Sequence, residues 1–467
     1  MGESSYWRSN TCSSLAGRLI ARTNPWNYYV GICYISNRYK GERGNAVHDQ
    51  SFSKKTLARV FHKLDFVGIK TPADLEAFRE NTLNKAIAVA DSGFLKIANP
   101  LVNFPLNGRQ VFMFKNLWDE MVARKLCSNI KRTSKVRTQG RSQIVSNLRL
   151  LLEEGVPFRV YRLDVKSFYE SFKSTQVISK INEISGISPL SKKLIHDLLG
   201  CHAALGGTGV PRGLALSAVL SEYLMRDFDR RVGENSEVFF FSRYVDDIIV
   251  ITSARENAAI FTRQVENMLP LGLRLNPAKR QIIEAKDQVK PTDPGKARAC
   301  LFQFDYLGYS FKIDEPVRSK RSNGDHCRAV TVDIAEKKIV RFKTRISRSF
   351  LDFARSGDWP LLRDRVKFLT NNFSVYNAKA GGKKIAGIFH SYPLASSEAE
   401  GIKALDLFLK NAILSQRGRI SSIVAIKLTA AHKRELLSNS FVEGHSKASF
   451  IYFSGSRLKQ IQDCWKN

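Results

Sequence analysis

Three carboxylates carry the sharpest chemical signal in this sequence. Asp246 and Asp247 are adjacent in Tyr244-Val245-Asp246-Asp247, between two β-prone apolar runs, EVFFFSRY (237–244) and IIVIT (248–252). Neighbouring carboxylates in strand sequence are costly to bury and repel one another. They become favourable when a divalent cation sits against them. An ordinary acidic hairpin turn would give the same string. Asp164 adds weight to the metal reading, because it closes a third apolar run, VYRLD (160–164). If that strand lies beside the hairpin, Asp164 and Asp246 meet at one sheet edge. Mg²⁺ takes few protein carboxylates and keeps positions open for phosphate oxygens and water. Two such ions about 4 Å apart clamp the attacking and leaving oxygens of an in-line phosphoryl displacement. We therefore expect two Mg²⁺ ions on Asp164, Asp246 and Asp247, activating a primer 3′-hydroxyl and stabilising the departing pyrophosphate.

The elements that must position these acids follow an α/β pattern from about 100 to 320. Leu216, Val219, Leu220, Tyr223 and Leu224 form the stripe of an amphipathic helix within 213–231. A helix is predicted over 255–269, and a short strand pair in LRLNPAKRQII (273–283). FQFDYLGYSFKI (302–313) reads as a hairpin with Gly308 at its bend. Two polar breaks follow the acids, AKDQVKPTDPGKARA (285–299) and RSKRSNGDHCR (318–328). Beyond them, 331–375 and 402–414 read as basic helices, and the tail 416–467 stays basic. Before them, 1–100 mixes a turn-rich piece (36–45) with helices in 55–66 and 73–91. Three units result: 1–100, 101–320 and 321–467.

Composition narrows the partner. The 467 residues hold 74 Lys+Arg against 43 Asp+Glu, a net charge of +31. Such an excess repels itself unless a polyanion, most simply nucleic acid, neutralises it. Hydrophobic residues at 43% exclude a largely disordered chain. No run reaches the roughly 18 apolar residues of a spanning helix, so no membrane partner is expected. The start MGESSYWRSN lacks the apolar core of a secretory signal. The seven cysteines are scattered without metal-ligand spacing, which suits a reducing cytoplasm. Asp325-His326-Cys327 reads as a polar loop rather than a metal site.

Leu163-Asp164-Val165-Lys166-Ser167-Phe168-Tyr169, then Gly209-Val210-Pro211-Arg212-Gly213 with Ser217, then Tyr244-Val245-Asp246-Asp247, resemble motifs A, B and C of reverse transcriptases. Leu273-Arg274-Leu275-Asn276-Pro277-Ala278-Lys279 is similar to motif D, and Tyr306-Leu307-Gly308-Tyr309 to the motif E primer grip. Upstream, Asn107-Gly108-Arg109 with Lys115 and Arg124 resembles the first fingers motif, and Gly140-Arg141-Ser142 the second. The resemblance spans about 105–313 and is nearest to bacterial enzymes of the retron, group II intron and defence-associated lineages.

It implies an α+β right-hand polymerase: an N-terminal extension (1–100), fingers and palm (101–320), and a helical thumb with a basic C-terminal region (321–467). It implies that Asp164 and Asp246 bridge the metals with the Val165 carbonyl as a further ligand, and that Asp247 is the neighbouring acid. Tyr169 stands at the place of a steric gate against the ribose 2′-hydroxyl. Arg109 and Lys115 would face the incoming triphosphate, and Lys279 the leaving pyrophosphate. Pro211, Arg212, Gly213, Leu307 and Gly308 would handle template and primer. Lys337, Lys338, Arg341, Lys343, Arg345 and Arg348 resemble a thumb face that follows the duplex backbone.

Two departures stand out. Arg212 replaces the commoner glutamine, and Gln110 the commoner proline. No acidic cluster for an RNase H and no endonuclease module follows motif E. The implied activity is Mg²⁺-dependent, RNA-directed addition of dNTPs in the bacterial cytoplasm, yielding DNA on an RNA template. The stretches 365–370 and 387–392 are similar to type 3 defence-associated reverse transcriptases. That likeness implies anti-phage defence, a dedicated non-coding RNA, and a second reverse transcriptase or a second copy as partner. Three rivals are distinguishable. A retron enzyme would leave cDNA joined to RNA through a 2′–5′ linkage, and a protein-primed or untemplated polymerase would leave DNA on a tyrosine or serine. A catalytically silent RNA-binding scaffold would be indifferent to Asp246→Asn.

Overall fold

The computed structural model describes residues 48–465 apart from 67–68, 70, 97, 107, 138, 286–298, 319–325, 378–381, 397–398, 416 and 418. The expectations for 1–47, for most of the 285–299 and 318–328 loops, and for Asn107 lie outside the described residues.

β1 (Leu101–Leu106) and β2 (Arg109–Phe114) form an antiparallel hairpin in register from Leu101↔Phe114 to Leu106↔Arg109. The helix Leu117–Ser134 follows and packs on the helices Pro72–Ser92 and Ala215–Leu224. Leu83, Ala86, Val89 and Phe94 enter the same core as Met121, Leu126 and Ile130, so residues just before 100 pack with those just after. Thr71 caps Pro72–Ser92 with its side chain and a proline opens it, both ordinary start signals.

The central sheet has the order β4-β5-β3-β6: β3 (Phe158–Asp164), β4 (Val238–Tyr244), β5 (Asp247–Thr252) and β6 (Gln281–Ala285), each pair antiparallel. Its side chains alternate between two cores, as the two-residue period of a strand demands. Tyr161, Leu163, Ile248 and Val250 face the helices of the first half. Phe158, Val160, Ile249 and Ile251 face the other way, into a core shared with the C-terminal helices.

Three expectations change. The stripe Leu216–Leu224 lies whole on the helix Ala215–Leu224, but the span 213–231 does not stay one helix: Arg226–Gly233 is a second, with buried Met225 at the joint. The strand pair in 273–283 is no hairpin. Leu275 makes a single bridge to Val165, Asn276 caps a 3-10 turn at Pro277–Lys279, and only then does β6 pair with β3. Pro277 brings this about, since its fixed φ starts a turn and it has no N–H to give a ladder. The run 331–375 is not wholly helical either. β7 (Cys300–Tyr306), β8 (Tyr309–Arg318) and β9 (His326–Ile334) form a second sheet that passes residue 320. The basic helices Glu336–Ser356 and Trp359–Thr370 follow. β10 (Asn372–Asn377), β11 (Gly382–Gly387) and β12 (Phe450–Ile451) then make a small third sheet amid the C-terminal helices. Buried Asn372 anchors it, donating to the Gly444 and Ser449 carbonyls and accepting from the Phe389 and His390 amides.

Among the described residues no helix is long and apolar enough to cross a membrane.

Candidate active site

The acid corner is built by register. Asp164, the last residue of β3, pairs with Asp247, the first of β5. The Val165 amide donates to the Asp246 carbonyl at 3.1 Å, so the turn between β4 and β5 is stitched to the end of β3. The turn itself is tight, with Val245 held at φ +61. A buried guanidinium secures it. Arg243 donates to the Val245 carbonyl at 2.9 Å, while Asp229 (2.8 Å) and Glu222 (2.8 Å) hold its other nitrogens. Two carboxylates on one buried arginine satisfy most of its donors and leave the remainder for the turn.

Asp164 is 6% exposed and fully engaged. Lys279 Nζ lies 2.9 Å from Oδ1, Asn276 Nδ2 donates to Oδ2 at 3.1 Å, and the Asn276 amide donates to the Asp164 carbonyl at 2.7 Å. The Pro277 turn that prevents a hairpin is thus what presents Asn276 and Lys279 to Asp164. Burial pushes the Asp246 carboxyl above the ordinary range, and the Asp164 charge adds to it. Burial raises Asp247 likewise, with Asp246 adding. The Tyr306 hydroxyl donates to the Asp247 carbonyl at 3.3 Å, tying the second sheet to this corner. An open pocket of about 530 Å³ runs beside Asp164 and Asp247, lined also by Arg162, Lys279, Arg280 and Lys337.

Two observations fit a bound divalent cation. Asp246 is raised by burial and the Asp164 charge, Asp247 by burial and the Asp246 charge, and the Lys279 ammonium already stands against Asp164 as a cation in place. Among the described residues no three acid, histidine or cysteine side chains converge closely enough to hold a metal by themselves. Water or substrate oxygens would have to complete the shell of an ion held there.

A second group of predicted residues gathers around Tyr169. Ser167 at φ +47 turns the chain into the short helix Phe168–Ser171. The Val210 amide donates to the Tyr169 carbonyl at 2.9 Å. Gly209, at φ +69, lies so close to that carbonyl that a Cβ would collide with it. Gly213, at φ +103, is pressed in the same way against the Phe112 backbone, and the Phe112 amide donates to the Arg212 carbonyl at 2.8 Å. Ser217 Oγ donates to the Pro211 carbonyl at 2.5 Å. Arg212 is engaged within the protein: its guanidinium forks onto Glu170 at 2.7 and 2.9 Å and lies 5.1 Å from the Tyr169 ring centre. Arg109, exposed on β2, reaches the same Glu170 at 3.9 Å.

Lys115 is exposed after β2 near Asp119, and no contact joins it to the three acids. Leu307 and Gly308, at φ +48 and +79, form the β7–β8 bend. Arg141 fastens the bend, donating to the Leu307 carbonyl at 2.7 Å and the Ser391 carbonyl at 2.8 Å between the rings of Tyr309 and Tyr392.

Arg243, Glu170 and Asn276 were not singled out for these roles from the sequence. A lone arginine inside the apolar run EVFFFSRY is the one available signal, because a cation there needs buried partners.

Residues 142–311 match the family described as reverse transcriptase (RNA-dependent DNA polymerase). No curated protein matches the chain. Among solved structures, apo telomerase from Candida tropicalis, truncated from the C-terminal domain, is 12% identical with a TM-score of 0.28. That match covers 54% of this chain and 49% of the telomerase. Telomerase from Candida albicans in complex with a TWJ fragment of telomeric RNA is 12% identical with a TM-score of 0.33, covering 78% of this chain and 62% of that one. The chain thus spans about half to three-fifths of the structures it matches. The matched stretch is a reverse transcriptase domain, the domain of RNA-directed DNA polymerases, which are nucleotidyltransferases. The mixed helix-and-sheet architecture is that expected of a right-hand polymerase.

Proposed function

We propose that this chain uses its reverse transcriptase domain to add deoxynucleotides to a 3′-hydroxyl along an RNA template. The observation that carries this is the register bringing Asp164 against Asp247 and stitching Asp246 to the end of β3. Two Mg²⁺ ions on Asp164, Asp246 and Asp247, with the Val165 carbonyl, would supply Lewis-acid activation of the 3′-hydroxyl and neutralise charge on the leaving phosphate.

The chain's own residues do the rest. Lys279 guards Asp164 at 2.9 Å and is 60% exposed, so its flexible stem can swing to a leaving pyrophosphate and hand over a proton. Arg109, held loosely at 3.9 Å, is free to grip triphosphate oxygens. Tyr169 shuts out a 2′-hydroxyl, the Leu307–Gly308 bend supports the primer, and the basic helix Glu336–Ser356 follows the duplex backbone. The net charge of +31 supports a nucleic-acid partner of this size.

The finer reading is a bacterial cytoplasmic enzyme of anti-phage defence that copies a dedicated non-coding RNA beside a second reverse transcriptase or a second copy of itself. Its support is the likeness of 365–370 and 387–392. The test is to sequence all nucleic acid co-purifying with the wild type and with Asp246→Ala/Asp247→Ala. One discrete RNA in both, with complementary DNA in the wild type alone, is expected. A wild type that makes no DNA from a supplied template, primer and dNTPs would overturn the polymerase reading.

A further inference from the structure

The Glu170–Arg212 pair lies outside the acid corner, yet it is built more tightly than a surface ion pair. Arg212 presents two nitrogens to the two Glu170 oxygens at 2.7 and 2.9 Å, the fork geometry in which arginine is most directional. Its guanidinium also lies 5.1 Å from the Tyr169 ring centre, within reach of a cation–π contact. The backbone on both sides is pinned. Val210 is bound to the Tyr169 carbonyl and the Arg212 carbonyl to the Phe112 amide, each across a glycine that leaves no room for a side chain. The loop thus fixes where the Arg212 side chain starts, and the Glu170 fork fixes where its guanidinium ends, beside the ring. The ring is held by a second neighbour as well: Phe168 packs edge-on against it, with ring centres 5.3 Å apart.

We propose that Glu170 and Arg212 act as one positioning unit that fixes the Tyr169 ring and so sets how strongly the enzyme rejects ribonucleotides. This rests on the reading of Tyr169 as the residue facing the sugar. Discrimination by a steric wall depends on the wall not yielding, since a ring that can turn aside admits the extra hydroxyl. Glu170 has a second effect. It neutralises Arg212 beside the nucleotide, leaving the more weakly held Arg109 as the cation available to an incoming phosphate.

The experiment measures kcat/KM for one dNTP and its rNTP counterpart in the full-length protein. Arg212→Gln and Glu170→Gln are each expected to lower the dNTP:rNTP ratio roughly tenfold. The double variant should be no worse than either single, because both remove the same contact. Arg212→Lys keeps the charge but loses the fork, and should fall between. Tyr169→Ala should lower the ratio by about a hundredfold. A role in folding alone would reduce turnover of both nucleotides together and leave the ratio unchanged. If Tyr169→Ala relaxes discrimination while the Arg212 and Glu170 variants keep the wild-type ratio, the positioning proposal is wrong and the gate reading survives. If Tyr169→Ala itself leaves the ratio unchanged, the gate reading fails and takes the proposal with it.

Discussion

The two ends of the β3–β5 ladder hold buried acids under opposite conditions. At the end of Arg159↔Thr252, Arg159 donates to Glu256 Oε1 at 2.6 Å and to Glu284 at 3.1 Å. Tyr161 and Thr252 donate to Glu256 as well, at 2.5 and 2.8 Å. Burial alone would raise the Glu256 carboxyl, yet the hydrogen bonds from Tyr161, Thr252 and Arg159 together hold it below the usual range. At the other end Lys279 contacts Asp164 but neither Asp246 nor Asp247, and burial together with the charge of neighbouring acids raises the last two. The strands are the same. The counter-charge differs. An acid cluster raised by burial, opposite a Glu256 that its own arginine and hydroxyls hold down, is the charge imbalance on which the proposed cation site rests.

The contrast breaks first at Asp246. On the proposed two-metal reading, Asp246→Asn is expected to cut primer extension at least ~1000-fold, the loss of several kcal/mol of metal-borne stabilisation. It should leave the melting temperature unchanged or higher, since it removes a repulsion. Parallel activity and thermal-unfolding measurements check this, and a melting temperature that fell markedly would make Asp246 a structural acid like Glu256. The opposite end should behave in reverse. Arg159→Met leaves Glu256 buried without its cation and should destabilise the fold by about 3 kcal/mol. Turnover per folded molecule at low temperature should stay near wild type. Denaturant midpoints paired with kcat decide it, and a stable but inactive variant would abolish the contrast.

Acid must be kept from confusing the two ends. Burial pushes the His202 imidazole down from 6.5 to about 4. The unfolded chain therefore takes up a proton below pH 6.5 that the folded chain refuses until about pH 4. His202 stability is present above 6.5 and is lost as the pH falls towards 4, by up to ~3 kcal/mol. Comparing denaturation at pH 7 and 4.5 in wild type and His202→Leu measures it, and equal acid sensitivity in both would assign the loss to the carboxylates.

Much of the site was legible because its signals are local. Three acids ending or joining apolar runs, and Gly308 between two aromatic strands, are readable without knowing any distant neighbour. The residues missed act through partners far along the chain. Arg243 needs Glu222 and Asp229, Arg212 needs Glu170, and Asn276 needs Asp164, and no spacing rule names such pairs. The fold was lost at small irregularities for a related reason. Pro277 puts a 3-10 turn where a short strand pair is expected, and Asn372 draws a β-prone segment into a sheet whose third strand lies near residue 450.

Val245 has a bearing on how such a chain changes over generations. A β-branched side chain at φ +61 opposes its own backbone by roughly 1–2 kcal/mol, whereas glycine adopts that shape freely. Glycine would relieve that strain but give up the packing of Val245 against the first core and lose more backbone freedom on folding, so the melting temperature has little to gain. A lineage that keeps valine there keeps a turn with one shape, and glycine would give it several.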